Sequence, residues 1–186
     1  TLICVNAEIG DHFGSRNVRV MPAFLPPVFE VEAQLPNDLV NWIGKSKAAG
    51  KTLISSNASQ LELFGGEDLY GLDMCIELMN SLRQKDVALV FGVASLKRGG
   101  DRFERYRKMI SEHGLSNDML LIHGENLSYV RLIIESDIVI RATNTDGDSL
   151  TVREALHLGK KVVASDVIGR PSGAVSFKNR DQLDLN

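Results

Sequence analysis

Three carboxylates crowd one short stretch of the chain: Asp146, Asp148 and Glu154 within RATNTDGDSLTVREALHLGKKVVASD, residues 141–166. Gly147 lies between the first two and permits a close backbone approach or a positive φ. The turn opens a helix. The first N–H groups of a helix are free and aligned with its dipole, a combination that suits phosphate. A structural role is open to the same residues: Asp148 or Ser149 can cap the helix, and capping leaves other N–H groups available. Glu154 has two readings. Thr151 to Glu154 matches the capping box, which would start the helix at Val152 and leave only about two turns before Gly159. A start near Asp148 gives a helix of ordinary length. Glu154 then lies four residues from both Leu150 and Leu158, on their apolar side, where a carboxylate needs a partner such as ligand hydroxyls. Asp146 and Glu154, eight residues apart, are separated by on the order of 12 Å along a near-helical path. That exceeds the roughly 5–9.5 Å between the paired carboxylates of a glycoside hydrolase. The spacing suits opposite ends of one long ligand with phosphate between them, which is the shape of a nucleotide sugar.

The elements that would position these groups alternate. TLICVN, EIGDHFG and NVRVMPAFLPP read as a strand, a short helical turn and a second strand closing on Pro26-Pro27. VFEVEAQLP follows as a connector, since proline suits neither a helix interior nor a central strand. Then come a helix (PNDLVNWIGKSKAAG), a strand (KTLISSNA), a helix with apolar residues at Leu72, Cys75, Ile76, Met79 and Leu82 (GLDMCIELMNSLRQK), and a strand (VALVFGV). DRFERYRKMISEHG, MLLIHG, LSYVRLIIES and DIVIRA continue the pattern, followed by a helix from about Asp148 to His157 and the strands KKVVASDV and AVSF. Short apolar strands alternating with helices predict βαβ units on a parallel sheet covered on both faces, an α/β doubly wound, Rossmann-like domain. Ligands of such folds bind at the carboxyl ends of the strands. That directs attention to the loops at 57–70, 93–100, 123–126, 141–148 and 166–173.

Composition narrows the classes. With 186 residues, 44% hydrophobic and 24% charged, the chain fits one domain or one domain with an appendage. A net charge of −3 argues against broad nucleic-acid binding. Cys4 and Cys75 lie far apart in apolar runs and read as buried free thiols. His12, His113, His123 and His157 show no ligand spacing with them. No apolar run reaches the ~18 residues of a membrane helix, and no signal peptide is visible. The first residue is Thr and opens straight into TLICV, as expected of a fragment or processed chain. Ser55 and Ser56 lack a G-x-S-x-G context, and no G-x-G-x-x-G or Walker motif occurs. LKRGGDRFERYRK is basic but interleaved with acids, as on a solvated helix face. Tyr129 suits either base stacking or core packing.

Asp146-x7-Glu154 followed by REALHLGKKVVASD resembles the E-x7-E region of the GT-B glycosyltransferases of family 4. In order along the chain, NVRVMPAFLPP is similar to that family's interdomain strand and linker, LYGLDMCIELMNSL to its KG-x-D helix, and MLLIHGENLSYVRLIIESDIVIRAT to the strand, helix and strand before the acidic motif. The resemblance covers nearly the whole chain. It implies the C-terminal half of a GT-B fold, with residues 1–34 as the end of the N-terminal domain and interdomain linker and 35–186 as the nucleotide-sugar-binding domain. The ending RDQLDLN stops before the family's closing helices. The implied activity is retaining transfer of a sugar from a UDP- or GDP-sugar to a glycan or glycolipid acceptor, as in polysaccharide biosynthesis. No metal and no cofactor beyond the donor is implied. The acceptor would be held by the missing N-terminal domain, so this piece alone is expected to bind but not to transfer. The setting is cytoplasmic, and peripheral membrane association of the longer protein is compatible with it. The alternatives are a GT-B nucleotide-sugar epimerase and a non-catalytic nucleotide-binding Rossmann-like domain.

By the same resemblance, Glu154 would bind the ribose hydroxyls and Asp146 would contact the transferred sugar. Asp146 is one methylene shorter than the family's glutamate. The N–H groups of Gly147, Asp148, Ser149 and Leu150 would bind the diphosphate, and the loop of Gly124, Glu125, Asn126 and Leu127 would edge the base. One departure stands out. The family places an Arg after the first strand and a Lys before the Gly of its KG motif, whereas SSNASQLELFGGEDLYGLD holds neither, and Tyr70 stands at the Lys position. The diphosphate charge still needs compensation. Arg141, at the end of a strand just before the turn, is the best-placed cation, with a salt bridge to Asp146 or Asp148 as its structural alternative. Lys97, Arg98 and Arg170 are the further candidates.

Overall fold

The computed structural model describes residues 1–14, 17–22 and 24–178. The ending RDQLDLN lies outside the described residues. A small N-terminal unit comprises β1 (Leu2–Cys4), α1 (Ala7–His12) and β2 (Val18–Val20), with β1 and β2 paired in parallel. The second strand is far shorter than NVRVMPAFLPP would allow. Residues 24–28 have no regular structure, and a single 3-10 turn, Phe29–Val31, precedes the main domain.

The main domain runs α2 (Asn37–Ala48), β3 (Thr52–Ala58), a hairpin of β4 (Leu63–Phe64) and β5 (Glu67–Asp68), α3 (Leu72–Ser81) and β6 (Val87–Val93). It continues through α4 (Gly100–Glu112), β7 (Met119–His123), α5 (Tyr129–Glu135), β8 (Ile138–Arg141), α6 (Leu150–His157), β9 (Lys161–Ser165) and β10 (Ala174–Phe177). Six of these strands form one all-parallel sheet in the order β10-β9-β8-β3-β6-β7. The βαβ reading of the sequence is therefore the observed architecture.

The apolar runs of β3 and β6 are central and covered on both sides, which is why they do not alternate. Successive residues feed opposite layers. Ile54, Leu89, Phe91 and Val93 pack with α3 and α4, while Leu53, Ala88 and Val90 pack with α2 and α5. Each helix supplies its stripe at helical spacing: Leu72, Cys75, Ile76 and Met79 from α3, and Phe103, Tyr106 and Ile110 from α4. A third layer joins Ile133 of α5 to Val139, Val152, Ala155 and Val162. Phe91 is fully buried, a contribution of about 1.5–3 kcal/mol for that side chain. Cys4 and Cys75 are both free and buried, as expected, and burial pushes the Cys75 thiol up to about 12.

The β4–β5 hairpin was not anticipated in the 57–70 loop. Its signal is Gly65-Gly66, both at positive φ (61° and 88°), the pair a tight two-residue hairpin turn demands. Gly71, the N-cap of α3, also has positive φ (66°), and a Cβ built there would lie 2.2 Å from the carbonyl oxygen of Ala142. The start of α3 thus abuts the loop after β8, and only glycine fits. Gly71→Ala is expected to cost about 2 kcal/mol or more, measured as a lower urea midpoint. A midpoint equal to wild type would contradict this close approach.

Candidate functional site

Winding reverses beside β3. The chain moves outward from β3 through α3 to β6 and through α4 to β7, then returns through α5 to β8 on the other side of β3. The crevice at the carboxyl ends of β3 and β8 is thus the topological switch point, where open α/β sheets take their ligands. Its walls are tied across the gap. The Thr151 hydroxyl of α6 donates to the Asn57 side chain of β3 at 3.1 Å. Asn144 donates its amide side chain to the Phe64 carbonyl at 3.0 Å and its N–H to the Leu69 carbonyl at 3.1 Å.

Asp146 lies on the β8 side of this crevice and accepts from two arginines. Arg141, the last residue of β8, donates Nε and Nη2 to its two carboxylate oxygens at 3.2 and 3.3 Å. Arg170, from the β9–β10 loop, donates Nη1 at 2.9 Å. Arg170 also donates to the Ser165 carbonyl at 2.7 Å and to the hydroxyls of Ser165 and Thr143 at 3.2 and 3.4 Å. All three charges are buried, with side-chain exposures of 12% for Arg141, 8% for Asp146 and 2% for Arg170. Burial alone would raise the pKa of Asp146, but Arg141 and then Arg170 outweigh it and hold the carboxyl below its ordinary value. Two cations on one anion leave a net positive charge at the ligand edge. Arg141 further lies over the Tyr70 ring, 5.0 Å from its centroid.

The acidic turn opens onto α6, whose N-cap is Ser149: its hydroxyl accepts from the Val152 N–H at 3.4 Å. The helix begins at Leu150, two residues later than a start at Asp148, because Ser149 rather than Asp148 takes the cap. Asp148 instead accepts from Nε of Arg153 at 2.7 and 2.8 Å. With Ser149 as the cap, the capping-box reading of Thr151 and Glu154 is overturned, and the Thr151 hydroxyl goes to Asn57. Glu154 is half-buried, and its carboxylate has no hydrogen-bond or ion-pair partner among the described residues. Burial first, and the Glu32 carboxylate second, push its pKa above the ordinary 4.5. The premise that Glu154 shares an apolar side with Leu150 is corrected. Leu150 is 49% exposed, and the buried face of α6 is Thr151, Val152 and Ala155. Glu154 is only half-buried beside that face, rather than enclosed in the core.

The loop at 124–127 borders a cavity of about 680 Å³ beyond the end of β7. Its walls include Gly124, Glu125, Asn126 and Leu127 on one side and Leu39 and Trp42 of α2 on the other. The connector ties this cavity to the start of α5. Glu32 accepts from the Ser128 hydroxyl at 2.5 Å, and Arg131 holds the carbonyls of Glu32 and Phe29 at 3.1 and 3.0 Å. The next residues, Ala33 and Gln34, line the cavity. From β8 to β7 the sheet crosses three strand gaps, roughly 14 Å, the scale of one nucleotide. The Ser55 and Tyr129 hydroxyls are buried beside one another, and burial pushes the Tyr129 phenol well above its ordinary range.

Asp146, Gly147, Asp148, Ser149, Leu150 and Arg141 therefore gather at one switch point, with Glu154 on the same helix and Gly124–Leu127 at the far end of the edge. Lys97 and Arg98 do not join the arginine cluster at Asp146. They are exposed loop residues paired with Glu125 at 3.3 Å and Glu62 at 3.1 Å. The salt bridge set against a phosphate role for Arg141 is present, and Arg170 lies beside it. Glu32 and Trp42 carried no signal in the sequence, because only the return of the connector over α5 and α2 brings them to this edge. Among the described residues no group of three or more His, Cys, Asp or Glu could hold a metal ion, and no helix is long and apolar enough to cross a membrane.

No protein-family model matches the chain, and no curated protein sequence does. Solved structures do. A glycosyltransferase from Rickettsia africae superposes with a TM-score of 0.73 at 15% identity, over 96% of this chain and 49% of its own. HepE from Anabaena, in complex with UDP, gives 0.67 at 14% identity over 96% and 50%. The C-terminal domain of a group 1 glycosyl transferase, LpcC from Francisella tularensis, gives 0.56 at 19% identity over 78% and 77%. The fold is thus the Rossmann-like α/β fold of GT-B glycosyltransferases. The chain spans about half the length of the first two of these structures.

Opposite pH responses follow from the two shifted acids. Asp146, with a lowered pKa, contributes stability that is present above its ordinary 3.8 and lost as pH falls below it. Glu154, with a raised pKa, lowers stability as pH rises from its ordinary 4.5 to its folded value. Asp146→Asn is expected to cost about 3–5 kcal/mol at neutral pH, by leaving two buried cations uncompensated. Glu154→Gln is expected to melt higher than wild type at neutral pH and to lose that advantage in acid. Urea and thermal melts across pH check both. A stabilised Asp146→Asn or a destabilised Glu154→Gln would contradict the charge assignment.

Proposed function

We propose that the chain is the donor-binding, C-terminal half of a retaining GT-B glycosyltransferase that moves a sugar from a UDP- or GDP-sugar to a glycan or glycolipid acceptor. The observation that carries this reading is the unpartnered, half-buried carboxylate of Glu154 on a helix whose start faces the switch point beside an excess of buried positive charge. A carboxylate with a raised pKa and no protein donor is suited to accept from vicinal hydroxyls, and the ribose of a nucleotide supplies them. The diphosphate lies at the N–H groups of Gly147 to Leu150, where the helix start and the spare charge of the Arg141–Asp146–Arg170 cluster compensate it. This cluster takes the place of the Arg and Lys that the loop after β3 lacks. The base enters the cavity between Gly124–Leu127 and Trp42, whose indole offers a stacking face. Asp146 borders the sugar end, where its ionised form orients rather than abstracts protons.

Support for a nucleotide-sugar donor also comes from HepE, whose structures are complexes with UDP and with UDP-glucose. Residues 1–34 serve as the end of the acceptor-side domain and the interdomain linker, and the acceptor is held by the rest of the protein, at the cytoplasmic face of a membrane or in the cytoplasm. No metal is needed in this scheme, since helix N–H groups and arginine supply the charge.

Calorimetric titration of the 186-residue chain with UDP, GDP, ADP and their sugars tests the reading. Binding of one nucleoside diphosphate is expected, unchanged by EDTA, and weakened by about 1.5–3 kcal/mol in Glu154→Gln. No heat at millimolar nucleotide, or equal affinities for wild type and Glu154→Gln, would overturn it.

A further inference from the structure

The N-terminal unit reaches the crevice through the first turn of α1. Asn6, the N-cap of that helix, uses both ends of its amide. Its Oδ1 accepts from the Ile9 N–H at 2.8 Å, and its Nδ2 donates to the Gly147 carbonyl at 2.7 Å. The two partners fix the orientation of the amide, because a backbone N–H must meet the oxygen and a carbonyl must meet the NH2. Two residues on, Glu8 accepts from the Gly169 N–H at 3.2 Å, and the next residue, Arg170, is the one bonded to Asp146. One helical turn thus touches both loops that carry the buried cluster.

The contact at Gly147 has a consequence for the neighbouring peptide. The bond joining Gly147 to Asp148 is trans, so its C=O and N–H point in opposite directions. A carbonyl held toward α1 turns the Asp148 N–H away from α1. That N–H has no acceptor among the described residues. Gly147 shows neither the positive φ nor the close approach its sequence allows: a Cβ there would meet nothing within 4 Å, so side-chain packing does not fix this peptide, and glycine's freedom makes a flip easy unless a hydrogen bond prevents it.

We propose that Asn6 is a positioning residue for the diphosphate: it pins the Gly147 carbonyl and thereby keeps the Asp148 N–H turned outward for a phosphate oxygen. The inference rests on the nucleotide reading above and adds to it a residue of the N-terminal unit that does not touch the ligand. It also gives the N-terminal unit a part in donor binding, since the helix cap and the phosphate turn share one side chain.

Asn6→Ser separates the two jobs of the residue. A serine hydroxyl keeps the cap on Ile9, adds no charge, and is too short to cap and reach Gly147 together. Asn6→Thr serves as a second variant if the first folds poorly. Affinities of wild type and both variants are measured for UDP and uridine, with GDP and guanosine in parallel, beside thermal melts. The variants are expected to bind the diphosphate about five- to tenfold more weakly, the loss of roughly one hydrogen bond, with nucleoside affinity unchanged. Equal diphosphate affinities in wild type and folded variants, or an equal loss for nucleoside and diphosphate, would remove the role of Asn6 while leaving the nucleotide reading intact. Failure of wild type to bind either diphosphate would remove both.

Discussion

Two buried arginines converge on one carboxylate, and the ligand edge of this domain depends on that arrangement. Arg141 ends a strand, Arg170 leaves the loop of the next βαβ unit, and Asp146 lies between them at 3.2 and 2.9 Å. Withdrawing three charges from water is expensive, and a single pair rarely gains stability from it. Here the carboxylate receives three arginine N–H groups and the Thr143 hydroxyl, so its ionised form is secured. The surplus is one positive charge beside the start of α6. The same pairing removes Asp146 from the list of free bases. An acid held ionised by two guanidiniums orients neighbours and sets local charge, but it does not take up protons near neutrality.

The rest of the edge is arranged to hold this cluster in place. Gly71 brings α3 against Ala142, the β4–β5 hairpin accepts from Asn144, and Asn57 of the central strand accepts from Thr151 of α6. Each contact joins the two sides of the switch point, where no strand pairing extends past the ends of β3 and β8. Glu154 is the exception to this economy of partners. Every other acid along this edge from Asp146 to Glu154 is ion-paired, whereas Glu154 has no such partner, a raised pKa and Glu32 nearby.

Much of the fold was legible in the sequence, because unbroken apolar strands and helices at 3.6-residue spacing admit few arrangements other than a parallel sheet with both faces covered. The position of the acidic turn was legible too, since it follows from strand order. What was not legible depended on contacts distant in sequence. Arg170 lies 24 residues from Asp146, and nothing in its loop distinguishes it from Lys97 or Arg98, which remain exposed. Asn6 lies 141 residues from Gly147 and reads only as a helix cap. The start of α6 is ambiguous in sequence by two residues because Asp148 and Ser149 cap equally well in isolation, and Arg153 decides the matter by engaging Asp148. The exposure of Leu150 could not be foreseen either, since an apolar residue in the first turn of a short helix says little about which way that turn faces.

The central claim is that a nucleoside diphosphate lies along the carboxyl edge of the sheet, with its phosphates at the start of α6 and its base at the end of β7. Amide chemical shifts of the isotope-labelled 186-residue chain, followed as UDP and then GDP are added, test this most directly. The account predicts saturable shifts at Gly147, Asp148, Ser149 and Leu150 together with Gly124 to Leu127, with the outer face of α4 unaffected. Shifts confined to other surfaces, or no shifts with either nucleotide, would contradict it.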